Sequence, residues 1–269
     1  MRLVSAAYAV CAGALACLPM GQVQAQESES AELAKKLANP VASLISVPFQ
    51  YNWNSGYGDS DGTQNYINIQ PVIPFSISEN WNIISRTIVP VVWQDDVIPS
   101  EGKQSGFGNT LQSFFFSPKA PTRGGLIWGV GPAIQIPTAT DNLGPSQWGL
   151  GITGVVLTQK HGWTAGMLAN HVWSVNKNDQ YGDASNTYVQ PFLVYTTAEA
   201  TSFGINTEST YDWEADTWSV PINMFVGQVV KLGKLPVQIN GGVRYWAESP
   251  ANGPEDWGAR IQVTFLFPR

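Results

Sequence analysis

In the closing stretch DWGARIQVTFLFPR, Trp257, Ala259, Ile261, Val263, Phe265 and Phe267 alternate with Arg260, Gln262 and Thr264. A period of two marks a β-strand with one apolar and one polar face. The alternation recurs upstream. Phe203, Ile205 and Tyr211 stand against Asn206, Glu208 and Asp212; Val237, Ile239, Val243 and Tyr245 stand against Gln238, Asn240 and Arg244. Near the start, Ile45, Val47, Phe49, Tyr51 and Trp53 oppose Ser46, Gln50 and Asn52, and Ile67, Ile69, Ile73 and Phe75 oppose Asn68 and Gln70.

The pattern predicts twelve strands, at approximately 43–53, 65–76, 81–93, 106–117, 125–136, 147–158, 163–174, 186–196, 202–213, 217–230, 236–247 and 256–267. Each is long enough for a tilted crossing of a hydrocarbon layer, which takes about 9 to 11 residues, whereas globular strands average about 5 or 6. Two features resist the pattern. Pro48, Pro71, Pro74, Pro90, Pro132, Pro191 and Pro221 fall inside strands, where each removes a ladder donor, and strands 4 and 7 show no clean pair of faces, which leaves their registers open.

Connections alternate in character. SGYGDSDGT, QDDVIPSEGKQS, PTATDNLGPS, NKNDQYGDAS and SPANGPED follow odd strands, and the mostly short SEN, KAPTRG, KHG, AEATS and LGKL follow even ones; EAD after strand 9 is an exception. Long loops at one rim and tight turns at the other build an up-and-down outer-membrane barrel. Eight of the eleven tryptophans (Trp53, Trp93, Trp148, Trp173, Trp213, Trp218, Trp246 and Trp257) fall at the long-loop rim, as expected of amphipathic rings at a membrane-water boundary. The expected fold is therefore all-β, a transmembrane antiparallel barrel of about twelve strands, with its apolar faces on lipid and strand 12 closing on strand 1.

The N-terminus reads differently. Arg2, an apolar stretch from Leu3 to Leu18 and Val23-Gln24-Ala25 make residues 1–25 a secretory signal peptide cut after Ala25. Cys11 and Cys17 both lie within it, which leaves the barrel without disulfides. Residues 26–40 form a periplasmic segment with a short helix, ended by Pro40, whose Leu33 and Leu37 share a face and whose stretch 30–39 is placed to plug the lumen. The barrel occupies 41–269. The outer membrane is the expected location.

Charge narrows the function. The chain carries a net charge of −6, which argues against nucleic-acid partners. Charged residues are 13% of the chain, against about 25% in ordinary soluble domains. The inward positions are amide-rich, with Gln70, Gln190, Asn206, Gln238, Asn240 and Gln262 in the expected path beside Gln50, Asn52, Asn68, Asn82, Gln135 and Asn223; Arg86, Glu208, Arg244 and Arg260 stand out among them. A final hairpin centred near residue 252 would set Arg244 opposite Arg260, an arrangement that needs an anion between them. Glu208 would complete a structural Arg-Glu-Arg cluster; a substrate carboxylate or phenolate could take the same place.

Catalytic signals are weak. His171 and Ser174 differ by three, so a strand points them to opposite faces, whereas a triad needs contact. His161 sits in a turn. No catalytic residue, metal site or cofactor is expected.

Four blocks, AELAKKLANPVASLISVPFQYNWN, NINIQPVIPFSISENWNIISRTIVPVV, GFGNTLQSFFFSPK and ANHVWSV, resemble a family of bacterial outer-membrane proteins often labelled transporters or, misleadingly, neuromedin U. They are similar to barrels associated with meta-pathway phenol degradation, and the resemblance spans nearly all of the chain after the leader. It implies an outer-membrane barrel for passive uptake of a small aromatic or hydrophobic solute, inserted through its C-terminal strand by the outer-membrane insertion machinery. Many such barrels end in Phe; here Pro268-Arg269 follow Phe267. The alternatives are a non-conducting structural, receptor or adhesive barrel and, more distantly, an outer-membrane hydrolase.

Overall fold

The computed structural model describes residues 20–176 and 182–268. Most of the expected signal peptide, with Cys11 and Cys17, lies outside these residues, as do 177–181 of the NKNDQYGDAS loop. Helix α1 (Met20–Leu37) precedes twelve strands: β1 (Ile45–Tyr57), β2 (Gly62–Ile69 and Val72–Ser76), β3 (Trp81–Asp95), β4 (Gln104–Phe107 and Thr110–Pro118), β5 (Leu126–Ile136), β6 (Gly149–Lys160), β7 (Trp163–Ser174), β8 (Ser185–Thr196), β9 (Thr201–Thr207 and Ser209–Asp212), β10 (Thr217–Leu232), β11 (Leu235–Glu248) and β12 (Glu255–Phe267). The helix starts at Met20, ahead of the expected segment, and runs through the Ala25–Gln26 junction.

Sequence neighbours pair antiparallel throughout. β12 returns to β1 from Ile45↔Phe267 to Trp53↔Ala259, which closes an up-and-down barrel. Closure leaves no edge of unpaired amides.

Prolines account for the three interrupted strands. Pro71 falls in the gap of β2, and its carbonyl accepts from the Thr87 amide at 3.1 Å. Pro90 of β3 faces the gap of β4, where Gly108 donates to its carbonyl at 3.0 Å. The gap in β9 falls at Glu208, between Pro191 of β8 and Pro221 of β10; the Glu208 amide reaches the Pro221 carbonyl at 3.4 Å. Each proline withholds a donor where the ladder breaks, and its carbonyl or a neighbour's recovers a bond.

The two walls are unlike. On β12, Trp257 and Ile261 are 53% and 55% exposed, whereas Thr264 and Leu266 are fully buried. Water-soluble folds place large apolar side chains the other way. An apolar outer wall and a polar inner one are what a barrel in hydrocarbon requires. Aromatic pairs mark the rims of the outer wall. Tyr245–Trp257 (5.1 Å between centroids), Tyr51–Trp93 (6.1 Å) and Tyr211–Trp218 (4.9 Å) lie toward the long loops, and Trp163–Tyr195 (4.9 Å) and Trp81–Trp128 (5.9 Å) toward the short turns.

The interior is itself divided. Along β12 and β1 and the first segment of β2 the inward side chains are mostly amides, hydroxyls and charges. Across β3 to β8 an apolar cluster of Ile84, Phe115, Val155, Leu157 and Leu168 packs around Val41, with Val72, Tyr188 and Phe192 at its edge. This explains strands 4 and 7. Phe115 and Leu168 face inward while Phe116 and Met167 face outward, so both walls are apolar there.

α1 closes the short-turn end. Ala31, Leu33 and Ala34 pack against Leu44, Ala200, Val229 and Leu266, all at that end of the interior. Polar tethers hold its flanks: Lys231 Nζ donates to Glu29 Oε2 at 2.8 Å, and Gln159 Nε2 to the Lys35 carbonyl at 2.8 Å. No described helix is long and apolar enough to cross a membrane.

Candidate functional site in the barrel lumen

Glu208 is the centre of the inner charge cluster. Its position at the break between Pro191 and Pro221 sets the carboxylate toward the lumen, in the half of the barrel nearer the long loops. Arg260 grips it with two parallel bonds, Nη1 to Oε1 at 2.7 Å and Nη2 to Oε2 at 2.6 Å. Arg244 donates from Nη2 to Oε2 at 2.9 Å. Further donors are occupied as well. Arg260 Nε reaches Asn52 Oδ1 (2.7 Å), Arg244 Nε reaches Asn223 Oδ1 (2.8 Å), and Arg244 Nη1 reaches the Tyr66 hydroxyl (2.8 Å). Arg244 is 1% exposed and Arg260 7%. Burying such charges is tolerable only with this degree of pairing.

The expected cluster forms, with a different register. Arg244 lies opposite Gly258, and Arg260 opposite Gly242. The two guanidinium groups are therefore diagonal neighbours. A tight turn in which Gly253 donates to the Pro250 carbonyl (2.8 Å) and a positive φ of 58° at Asp256 centre the hairpin slightly ahead of residue 252.

A second network runs toward the short-turn end. Arg86 Nη2 donates to Gln70 Oε1 (2.9 Å), Gln50 Nε2 to Gln262 Oε1 (3.0 Å), and Gln262 Nε2 to Thr264 Oγ1 (3.0 Å). Near the outer rim a ladder crosses four strands: Tyr57 to Gln64 (3.1 Å), Gln64 to Gln94 (2.8 Å) and Gln94 to Gln104 (2.6 Å). Sequence reading passed over Tyr66, Gln64 and Gln94, although Tyr66 shares the parity of Asn68 and Gln70.

Between the charge cluster and the helix lies a cavity of about 410 Å³. Nine of the ten expected path residues line it: Arg86, Glu208, Arg260, Gln70, Gln190, Asn206, Gln238, Asn240 and Gln262. Arg244 stands behind them, covered. The cavity floor comes from the chain between α1 and β1, including Asn39, Pro40, Ala42 and Leu44, and its far wall from Leu168, Tyr188, Phe192 and Val194. Asn39 belongs to the stretch 30–39 expected to plug the lumen; the floor beyond it and the apolar wall were not foreseen as part of the path.

Seven of the eight expected boundary tryptophans, Trp53, Trp93, Trp148, Trp173, Trp213, Trp218 and Trp257, point outward at the long-loop rim. Trp246 departs from this set. It shares the inward parity of Arg244, lies 5.3 Å under that guanidinium and donates from Nε1 to Asn54 Oδ1 at 3.3 Å. It shields the buried charge instead of meeting lipid.

His171 points outward, with Nδ1 2.8 Å from Thr187 Oγ1; Ser174 points inward and accepts from the Ala184 amide. The two lie on opposite faces and form no dyad.

No protein-family model matches the chain, and no curated protein does. Among solved structures, the chain is similar to an outer membrane channel from Pseudomonas putida F1 (TM-score 0.65, 16% identity, covering 83% of this chain and 94% of that one). It is more loosely similar to outer membrane phospholipase A from Escherichia coli (TM-score 0.49, 11% identity, covering 87% and 98%). The first likeness establishes the fold, a twelve-stranded barrel of the outer-membrane type.

Proposed function

We propose that this chain resides in a bacterial outer membrane and lets a small aromatic or hydrophobic solute cross without energy input. The observation that carries the reading is the cavity, polar on one wall and apolar on the other, inside a closed barrel with an apolar exterior. A pore lined this way can take up a molecule that has both kinds of surface. The structure it resembles is that of a channel, which supports the reading. Residues 1–25 act as a cleaved export signal, 26–40 lie on the periplasmic side, and the C-terminal strand ending at Phe267 engages the insertion machinery. α1 is a plug that narrows the route at the short-turn end.

Purified protein in planar bilayers and in swelling liposomes tests this. Discrete conductance and swelling with small sugars or amino acids, but not with larger oligosaccharides, is the expected result. A correctly folded barrel that passes neither ions nor small solutes would favour a structural, receptor or adhesive role.

A further inference from the structure

The charges inside the barrel do not follow those of the chain. The protein is acidic overall, at −6, yet among the described residues the only carboxylate lining the cavity is Glu208, and it is held by both Arg260 and Arg244. That leaves the cluster with an excess positive charge. Arg86 adds another. Among the described residues it forms no ion pair, and one bond to Gln70 is its only side-chain partner among five N–H groups. It also stands beside an apolar surface. Its cross-strand neighbour Val72 belongs to the same cluster as Phe192 and Leu168, and all three line the cavity. A cation with free donors next to an aromatic wall is a recognition geometry for a planar anion, because guanidinium matches a carboxylate in a two-point contact.

We propose that the cavity binds a small aromatic monocarboxylate, its carboxylate on Arg86 and its ring against Phe192 and Leu168. The proposal deepens the channel reading and rests on it for its physiological meaning. The Arg244–Glu208–Arg260 cluster cannot be the binding group, since its own carboxylate fills that place. The acidic loops lie beyond this cluster, and at physiological ionic strength their field fades within about 8 Å. The local potential at Arg86 therefore decides the sign of the bound solute.

The test uses the full chain in lipid nanodiscs, with benzoate, benzyl alcohol and benzylammonium as probes in titration calorimetry. Benzoate is expected to bind in preference to the other two. Arg86→Gln should weaken benzoate by about tenfold or more, the loss of a charge-assisted contact, without changing benzyl alcohol binding, and Arg86→Lys, which keeps the charge but not the two-point contact, should fall between this variant and the unaltered protein. Unaltered heat-modifiable mobility on gels would show that both variants fold. No preference for benzoate, or equal weakening of benzoate and benzyl alcohol in Arg86→Gln, overturns the proposal. Reversal potentials in a KCl gradient test the channel separately. Anion selectivity that falls in Arg86→Gln supports both ideas; benzoate binding without conductance keeps the site and removes the channel; conductance with charge-blind binding does the reverse.

Discussion

Replacing Glu208 by Ala should destabilise the barrel by roughly 3 to 5 kcal/mol, the scale seen when one partner of a buried ion pair is removed. The reason lies in what remains. Arg244 and Arg260 are 1% and 7% exposed, and without the carboxylate two guanidinium groups on diagonal positions of β11 and β12 repel each other away from water. Their neutral partners Asn52, Asn223 and Tyr66 satisfy donors but supply no negative charge. Urea unfolding of protein folded into vesicles gives the measurement. A triple variant, Glu208→Gln with Arg244→Met and Arg260→Met, should recover much of the loss, because it leaves no unpaired charge buried. A loss under about 1 kcal/mol in Glu208→Ala would place these charges in a water-filled setting, where ion pairs contribute little.

Dislodging α1 should raise conductance several-fold. Leu33 and Ala34 are 4% and 1% exposed in their seat against Leu44, Ala200, Val229 and Leu266. Aspartates at both positions would bury unpaired charge, which the seat cannot accommodate. Burial of a leucine stabilises by about 1.5 to 3 kcal/mol, so the helix can open locally while the barrel stays shut. Single-channel recordings of Leu33→Asp/Ala34→Asp beside the unaltered protein measure the effect. Equal conductance would mean that α1 does not obstruct the route.

Much of this architecture was legible in the chain because lipid and lumen impose opposite demands on alternate residues. β9, β11 and β12 display those demands openly, and Arg86, Glu208 and Arg260 could be assigned to the lumen from parity alone. β4 and β7 could not be read this way. Phe115 and Leu168 meet an apolar interior, so their strands lose the contrast on which periodicity depends. Trp246 was misplaced for another reason: its position at a strand end suggested the boundary, although its parity matched Arg244. The cavity floor beyond Asn39 was hidden because the chain between α1 and β1 carries no periodic signal; Pro40 and Leu44 acquire a role only once the barrel wraps around them. The hairpin register depended on a local turn at Pro250–Gly253 and on the backbone of Asp256, features that alternation does not encode.

Adjacent residues at the middle of β12 offer the most direct test of a wall with lipid on one side and a solute path on the other. With Cys11 and Cys17 replaced by alanine, Ile261→Cys and Gln262→Cys would each be labelled in reconstituted protein. Ile261 is 55% exposed on the outer wall, and Gln262 lines the cavity. A fluorophore at 261 should be quenched by brominated lipid chains, and this thiol should resist a small charged thiosulfonate. The thiol at 262 should react with that reagent and its label should escape the lipid quencher. Identical behaviour at the two positions, or the opposite assignment, would contradict the account.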